Sequence, residues 1–174
     1  MTGTTSGASS SARLFIALWP DPAVRDALAA WSEQWQWNAR ASRVRAERLH
    51  LTLHFLGDVP RALLPALKPV LRLPFAPFTL ALGRGAVWRG GVAVLEPDPV
   101  PLRLHQLHDA LGEALRGLAL PIETRPYRPH LTLARRASAA LSPGRGPRLR
   151  WPVHSYALVE SRPTAGYEVI QAYP

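Results

Sequence analysis

Two identical four-residue segments carry the side chains of this sequence that are best suited to chemistry. They are His50-Leu51-Thr52-Leu53 and His130-Leu131-Thr132-Leu133, and their histidines lie 80 positions apart. Alternate residues of a β-strand share one face, so each segment would present an imidazole and a hydroxyl to one surface and its leucines to a core. A lone histidine on a strand is usually an ordinary polar residue, but two matching copies in corresponding places favour a functional pair.

Paired imidazoles suit the hydrolysis of a cyclic phosphate. An imidazole ionises near pH ~6.5, so it can act as a general base or a general acid near neutrality. Two imidazoles on opposite sides of one phosphorus atom could take a proton from water and give one to a departing ribose oxygen. The hydroxyls of Thr52 and Thr132 could donate hydrogen bonds to the non-bridging oxygens as charge builds. This scheme requires neither a metal ion nor a cofactor, and its symmetry leaves the order of the acid and base roles open.

Each motif is preceded by a helix that starts near a Pro-Asp-Pro segment. Pro20-Asp21-Pro22 and Pro97-Asp98-Pro99 lie 77 positions apart. In each, the aspartate could cap a helix N-terminus and the second proline suits the first turn. The similar offsets predict one strand–helix–strand unit used twice about a pseudo-twofold axis. Apolar residues at helical spacing are Val24, Leu28, Trp31 and Trp35 in the first helix and Leu104, Leu107, Leu111, Leu115 and Leu118 in the second.

Further strands are predicted around these two units. They cover residues 13–19, 78–82, 91–95, 151–160 and 166–173, with a short helix near residues 62–71. Hairpin-length spacings near both ends favour antiparallel pairing. We therefore predict an α+β fold with two pseudo-symmetric lobes, each an antiparallel-rich sheet with outer helices, around a central cleft. Residues 1–12, rich in Ser, Thr and Gly, are predicted to be a flexible tail, and residues 13–174 a single bilobal domain.

The composition excludes several classes of protein. The sequence contains no cysteine, which excludes disulfides and thiolate metal sites. No apolar run approaches the ~20 residues of a membrane-spanning helix, and the N-terminus does not read as a secretory signal, so we predict a cytoplasmic protein without a membrane partner. The net charge of +9 favours a polyanionic partner such as RNA. The 20 arginines against one lysine are equally typical of a GC-rich genome, so charge alone leaves both explanations open.

The paired motifs resemble those of the 2H phosphoesterases, and the longer match is similar to the bacterial RNA 2′,3′-cyclic phosphodiesterases, also called 2′-5′ RNA ligases. The resemblance is carried by residues 13–18, 49–57, 127–135 and 158–162. It implies a basic cleft in which RNA with a 2′,3′-cyclic phosphate end is opened to a 2′-phosphate. It also implies that His50 is the proton donor and His130 the proton acceptor. Some relatives join RNA ends through a 2′-5′ bond, and whether this chain does so is left open. We expect a monomer.

Three residues near the second motif are candidate substrate ligands. Arg135 could bind phosphate through its guanidinium, although five positions after His130 it would lie on the opposite face of a regular strand. Tyr127 and Arg128 could border the cleft, with the tyrosine stacking on a base and the arginine contacting the RNA backbone.

No metal site is predicted from the remaining histidines. His50 and His54 would lie ~13 Å apart on a strand, too far to share one ion. His105 and His108 share a helix face without an evident third ligand, so they are expected to be solvated or to pack within the helix.

Two other functions stay open at this point. A non-catalytic RNA-binding module could use the same cleft, although binding alone does not require two imidazoles facing one phosphate. A phosphodiesterase for a small cyclic nucleotide would use the same chemistry, and activity on mononucleotides but not on oligonucleotides would indicate it.

Overall fold

The structure of the 174-residue chain is a computed structural model that describes residues 10–144 and 146–174. Most of the predicted tail, residues 1–9, therefore lies outside the described residues. The first strand begins at Ser11, and Ala12 is already buried, so the predicted boundary after residue 12 falls inside this strand. Within the described residues, no helix has the length and apolar character needed to span a membrane.

The chain alternates strands and helices in an order that repeats the strand–helix–strand unit. The strands are β1 (Ser11–Leu18), β2 (Ser42–Arg43), β3 (Leu51–Pro60), β4 (Phe78–Trp88), β5 (Val92–Pro97), β6 (Leu131–Arg135), β7 (Leu149–Val153), β8 (Tyr156–Arg162) and β9 (Gly166–Tyr173). The helices are α1 (Pro22–Ser32), α2 (Leu64–Val70) and α3 (Leu102–Gly117). Helix α1 connects β1 toward β3 and helix α3 connects β5 to β6, so the predicted unit occurs twice.

The described strands form one continuous antiparallel sheet with two similar halves. Its order is β7-β4-β5-β6-β3-β1-β8-β9, and β2 pairs with β6. One half runs from β3 outward through β1 and β8 to β9, and the other runs from β6 through β5 and β4 to β7. The predicted α+β class with two lobes is confirmed, and the two motif strands lie side by side at the centre of the sheet.

The helix starts differ between the two units. The Asp21 carboxylate accepts a hydrogen bond from the Val24 amide at 2.8 Å, which confirms the predicted cap of α1. The corresponding cap was wrong: α3 begins at Leu102 with Pro101 before it, and the Asp98 amide instead donates to a β4 carbonyl. Trp35 lies beyond the end of α1 but is still buried. The apolar stripes of both helices join the main core on one side of the sheet.

The region predicted as one strand over residues 151–160 forms two. Strand β7 pairs with β4 at one edge of the sheet, and β8 pairs with β1 in the other half. Pro152 lies in β7, where an edge strand tolerates a residue that has no amide donor. The chain therefore leaves one half after Val153 and enters the other at Tyr156.

Candidate active site

The register of the two central strands brings the motif side chains together. β3 and β6 pair antiparallel through Leu51 and Leu131, which are both fully buried. In that register His50 lies next to Thr132, and Thr52 lies next to His130, on the face opposite the leucines. Diagonal neighbours across such a pair are about 7–8 Å apart, a spacing that can accommodate a phosphate between the two imidazoles.

A β-bulge turns Arg135 toward the same face. In the pairing of β6 with β5, Thr132 faces Val94 and Ala134 faces Ala93, which leaves Leu133 as an extra residue. Leu133 and Ala134 are both buried, so the alternation shifts by one position beyond them. Arg135, a predicted phosphate ligand that a regular strand would have turned to the opposite face, therefore lines the cleft.

The first motif strand contains a matching bulge. Thr52 faces Ala17 and His54 faces Ile16, which leaves Leu53 as the extra residue. Leu53 and His54 are both buried, and Phe55 returns to the cleft face with 49% of its surface exposed. Phe55 thus occupies the position in the first motif that Arg135 occupies in the second.

These side chains line one cleft of about 620 Å³. It brings together five of the predicted site residues, the two histidines, the two threonines and Arg135. Four further arginines and three aromatic rings complete much of the lining. The lining residues are Arg13, Phe15, Ser42, Arg43, Val44, Arg45, Arg48, His50, Thr52, Phe55, His130, Thr132, Arg135, Ser161 and Tyr167.

The two imidazoles are held in the same way. His50 Nδ1 lies 2.7 Å from the carbonyl oxygen of Arg48, and His130 Nδ1 lies 2.8 Å from the carbonyl oxygen of Arg128. A carbonyl oxygen can only accept, so each Nδ1 is the protonated nitrogen that donates. In the neutral ring Nε2 is then the free acceptor, and it is the nitrogen left to exchange protons with a ligand in the cleft.

The surroundings of the two rings differ. His50 is packed among three aromatic rings, with centroid distances of 4.9 Å to Phe15, 5.5 Å to Trp19 and 5.3 Å to Tyr167. His130 contacts a single aromatic ring, Trp88, at 4.3 Å. The identical motifs therefore place their histidines in chemically distinct environments.

Burial lowers the pKa of both imidazoles. For His50, the loss of solvation is the largest cause, and the positive charge of a protonated His130 lowers the pKa further. For His130, burial again dominates; the nearby Glu96 carboxylate raises the pKa, while Arg128 and Arg135 lower it. The bond to a backbone carbonyl raises the pKa in each case without cancelling the effect of burial.

The structure places two of the predicted ligands away from the cleft. Tyr127 packs behind the motif strands, where its hydroxyl donates to the Thr52 carbonyl at 3.2 Å and its ring stacks on His108. The Arg128 Nε donates to the buried Glu96 at 2.7 Å, and its guanidinium lies over Trp88. Both side chains are engaged by neighbours on other elements and neither is part of the cleft lining, so their roles as substrate ligands stay predictions.

Comparison with known proteins identifies the family, since residues 24–162 match the 2′-5′ RNA ligase superfamily. The chain belongs to this superfamily. It is 34% identical over 154 residues to the RNA 2′,3′-cyclic phosphodiesterase of Escherichia coli K12, covering 85% of this chain and 83% of the relative. It is 36% identical over 177 residues to the enzyme of the same name from Thermus thermophilus, covering 86% and 81%. Escherichia coli LigT complexed with 3′-AMP matches with a TM-score of 0.82 at 28% identity, over 94% of this chain and 97% of that one.

The resemblance drawn from the motifs is thus confirmed, but several cleft residues of this superfamily member were not predicted. Arg48 lies two positions before the first histidine, as Arg128 does before the second, and its guanidinium lies over the ring of Tyr167. Gly166 permits this contact, because a Cβ there would lie 2.9 Å from an Arg48 nitrogen. The offset of 80 that relates the histidines also relates Phe55 to the predicted ligand Arg135, and it is the sequence signal that could have found Phe55.

Among the described residues of this superfamily member, no group of three or more His, Cys, Asp or Glu side chains is arranged to hold a metal ion. His54 and His108 do approach each other, with ring centroids 4.2 Å apart, but the rings stack face to face. The His54 Nε2 is also bonded to the backbone carbonyl oxygen of His108 at 2.7 Å. The contact between these two histidines is therefore one of packing and hydrogen bonding.

Proposed function

We propose that this protein hydrolyses RNA 2′,3′-cyclic phosphodiester ends to 2′-phosphates by acid–base catalysis with two histidines. The observation that carries the proposal is the pair of motif imidazoles on one cleft face, each with Nδ1 fixed to a backbone carbonyl. The names of the relatives support the same activity. Both histidines come from one chain, so we also propose that a monomer is sufficient for activity.

In the proposed reaction His130 acts as the base and His50 as the acid. His130 Nε2 takes a proton from water while the water oxygen bonds to phosphorus. The bond from phosphorus to O3′ breaks, and His50 Nε2–H gives its proton to that oxygen, which leaves a 2′-phosphate and a 3′-hydroxyl. His50 must start protonated, and the bound phosphate anion favours this by offsetting the repulsion between the two rings.

The residues between the histidines would stabilise the developing charge. Thr52 and Thr132 present hydroxyls on the same face, where they can donate to the non-bridging oxygens. Arg135 can bind the same oxygens through its guanidinium. The imidazoles supply both proton transfers, so the scheme needs no metal ion.

RNA is the proposed substrate class because the cleft combines cations with aromatic faces. Five arginines line it, of which Arg45, Arg48 and Arg135 form no ion pair within the described part of the chain. Phe55 offers an exposed ring on which a base can stack. The LigT complex shows that a relative binds a nucleoside monophosphate.

The direct test is product analysis on a short RNA with a 2′,3′-cyclic end. We expect a 2′-phosphate product at an unchanged rate in EDTA. His50→Ala and His130→Ala should each lower kcat by about 10²–10⁴-fold, whereas His154→Ala, at an exposed position outside the cleft, should match the unchanged protein. Unchanged turnover in either motif variant would refute the assignment.

The same assay separates the alternatives. Salt-dependent RNA binding without turnover of any cyclic end would indicate a binding module. Turnover of cyclic mononucleotides but not of oligonucleotides would indicate a small-molecule phosphodiesterase. Ligation is the reverse step with a 5′-hydroxyl in the place of water, so incubation with a 5′-hydroxyl RNA and detection of a 2′-5′ linkage tests it.

A further inference from the structure

The two halves of the sheet share a narrow junction at the site. β3 and β6 are joined by the single pair Leu51–Leu131, and the short strand β2 adds two pairs with β6, whereas β3 pairs with β1 along eight residue pairs. Each half carries one of the two histidines. Proton transfer from opposite sides of one phosphorus requires a fixed separation between the rings, so a further connection between the halves would serve the reaction.

Tyr127 provides such a connection. It precedes His130 by three residues, and its hydroxyl donates a hydrogen bond of 3.2 Å to the backbone carbonyl of Thr52, two residues after His50. The bond therefore joins the two motifs directly. Burial raises the pKa of the Tyr127 hydroxyl, so it keeps its proton and remains a donor.

A stack of three rings anchors this connection to helix α3. The Tyr127 ring lies parallel to that of His108, with centroids 3.9 Å apart, and His108 stacks on His54 of β3 at 4.2 Å. The His54 Nε2–H donates to the backbone carbonyl of His108 at 2.7 Å. One helix thus holds the loop before the second motif and the strand of the first motif together.

Helix α3 packs closely against the stack at Gly112, which is buried in the helix. A Cβ at Gly112 would lie 3.4 Å from His54 Cε1 and 3.6 Å from Nε2, which is van der Waals contact. The His54 imidazole therefore lies directly against the helix at this position.

We propose that the stack of Tyr127, His108 and His54, with the Tyr127–Thr52 hydrogen bond, holds the two motif histidines at their working separation. Tyr127 is then a positioning residue, because it lies outside the cleft and touches no substrate. The inference rests on the proposed phosphodiesterase function and explains why this side chain faces away from the cleft.

The kinetic test uses Tyr127→Phe, which removes the hydrogen bond, and Tyr127→Leu, which removes the bond and the stack. The matched control is Tyr173→Phe, because that buried tyrosine also donates to a backbone carbonyl, at 3.1 Å, far from the cleft. We expect kcat to fall about 3–10-fold in Tyr127→Phe and about 100-fold in Tyr127→Leu, because a displacement of ~1 Å between reacting groups can lower the rate about 100-fold. KM should stay within about twofold in both variants. Equal losses in Tyr127→Phe and Tyr173→Phe, or no loss in Tyr127→Leu, would overturn the proposal.

A second readout does not depend on activity. Repulsion from His130 contributes to the low pKa of His50, so rings that move apart should raise the pKa of His50 in an NMR titration. We expect this rise in both Tyr127 variants and its absence in Tyr173→Phe. If the unchanged protein opens no cyclic phosphate, the proposed function fails. The titration still tests the positioning role, because an unchanged pKa of His50 in both Tyr127 variants refutes it. The Phe variant keeps the test available if the Leu variant does not fold.

Discussion

Phe55 and Arg135 occupy equivalent positions, each five residues after a motif histidine and each turned into the cleft by a β-bulge. The repeated unit thus delivers an aromatic ring on one side of the site and a guanidinium on the other. The identical motifs supply the acid–base pair, while the residues just beyond them make the two sides of the cleft chemically different.

Arg135 should contribute mainly to binding and charge stabilisation. We expect Arg135→Ala to lower kcat/KM by about 10–100-fold, because a hydrogen bond to a charged group contributes about 1.5–3 kcal/mol. Arg135→Lys should recover only part of this, since an ammonium lacks the planar fork that binds two phosphate oxygens. Arg150→Ala, at an exposed position on β7 outside the cleft, is the control. A loss of similar size in that control would assign the effect to overall charge.

The pH dependence of the reaction should lie on the acidic side of neutrality. Burial lowers the pKa of His50 and of His130 below the ordinary value of 6.5. The active form needs one neutral and one protonated ring, so kcat/KM should fall as the pH rises through 6.5 and both rings become neutral. The bound phosphate anion favours the imidazolium, so kcat should persist to higher pH than kcat/KM does. Profiles of both constants check this, and a kcat/KM maximum above pH 7 would contradict it.

Glu96 should distinguish the two histidines. It is buried, accepts from Arg128 at 2.7 Å and raises the pKa of His130. Glu96→Gln removes that negative charge, so an NMR titration should show a lower pKa for His130. The control is Glu160→Gln, which removes another buried carboxylate paired with arginines in the other half of the sheet. A His130 titration that responds equally to both substitutions would contradict the specific role of Glu96.

The predictable part of the site was the part set by local alternation. His50 with Thr52, and His130 with Thr132, share a face because the members of each pair are two positions apart along the chain. The repeat predicted two similar units about a pseudo-twofold axis, but not that the two motif strands pair directly. The bulges at Leu53 and Leu133 could not be predicted from alternation, because each depends on how the neighbouring strand is paired, so alternation alone left the face of Arg135 open.

Contacts between segments that are distant along the chain could not be predicted from the sequence. Tyr127 precedes a motif and is aromatic, both of which suggested a base-stacking residue, but helix α3 and the Thr52 carbonyl hold it behind the sheet. The Arg48 side chain lies against Gly166, the first residue of β9, which is more than 100 positions further along the chain. The failed cap at Asp98 has a similar cause, since its amide is bonded to β4.

Two glycines of β4 offer a matched test of packing. A Cβ at Gly85 would lie 2.4–2.9 Å from Ser142, Trp31 and Trp35, whereas a Cβ at Gly83 would meet nothing within 4 Å. Gly85→Ala should lower the free energy of unfolding by ~1–3 kcal/mol through overpacking. Gly83→Ala should leave it within about 0.5 kcal/mol, as for a surface substitution away from special features. Urea denaturation of both variants checks this, and similar values for the two would show that the tryptophans can move aside.

The order of the acid and base roles can be tested with a substrate whose leaving group needs no proton. In a 2′,3′-cyclic phosphate with sulfur in place of O3′, the thiolate can leave unprotonated because thiols ionise near pH ~8.5. If His50 is the acid, His50→Ala should be slow on the oxygen substrate and recover most of its rate on the sulfur substrate. His130→Ala should stay slow on both, since water still needs a base. Recovery in His130→Ala instead would reverse the two roles, and recovery in neither would leave His50 without the role of protonating the leaving group.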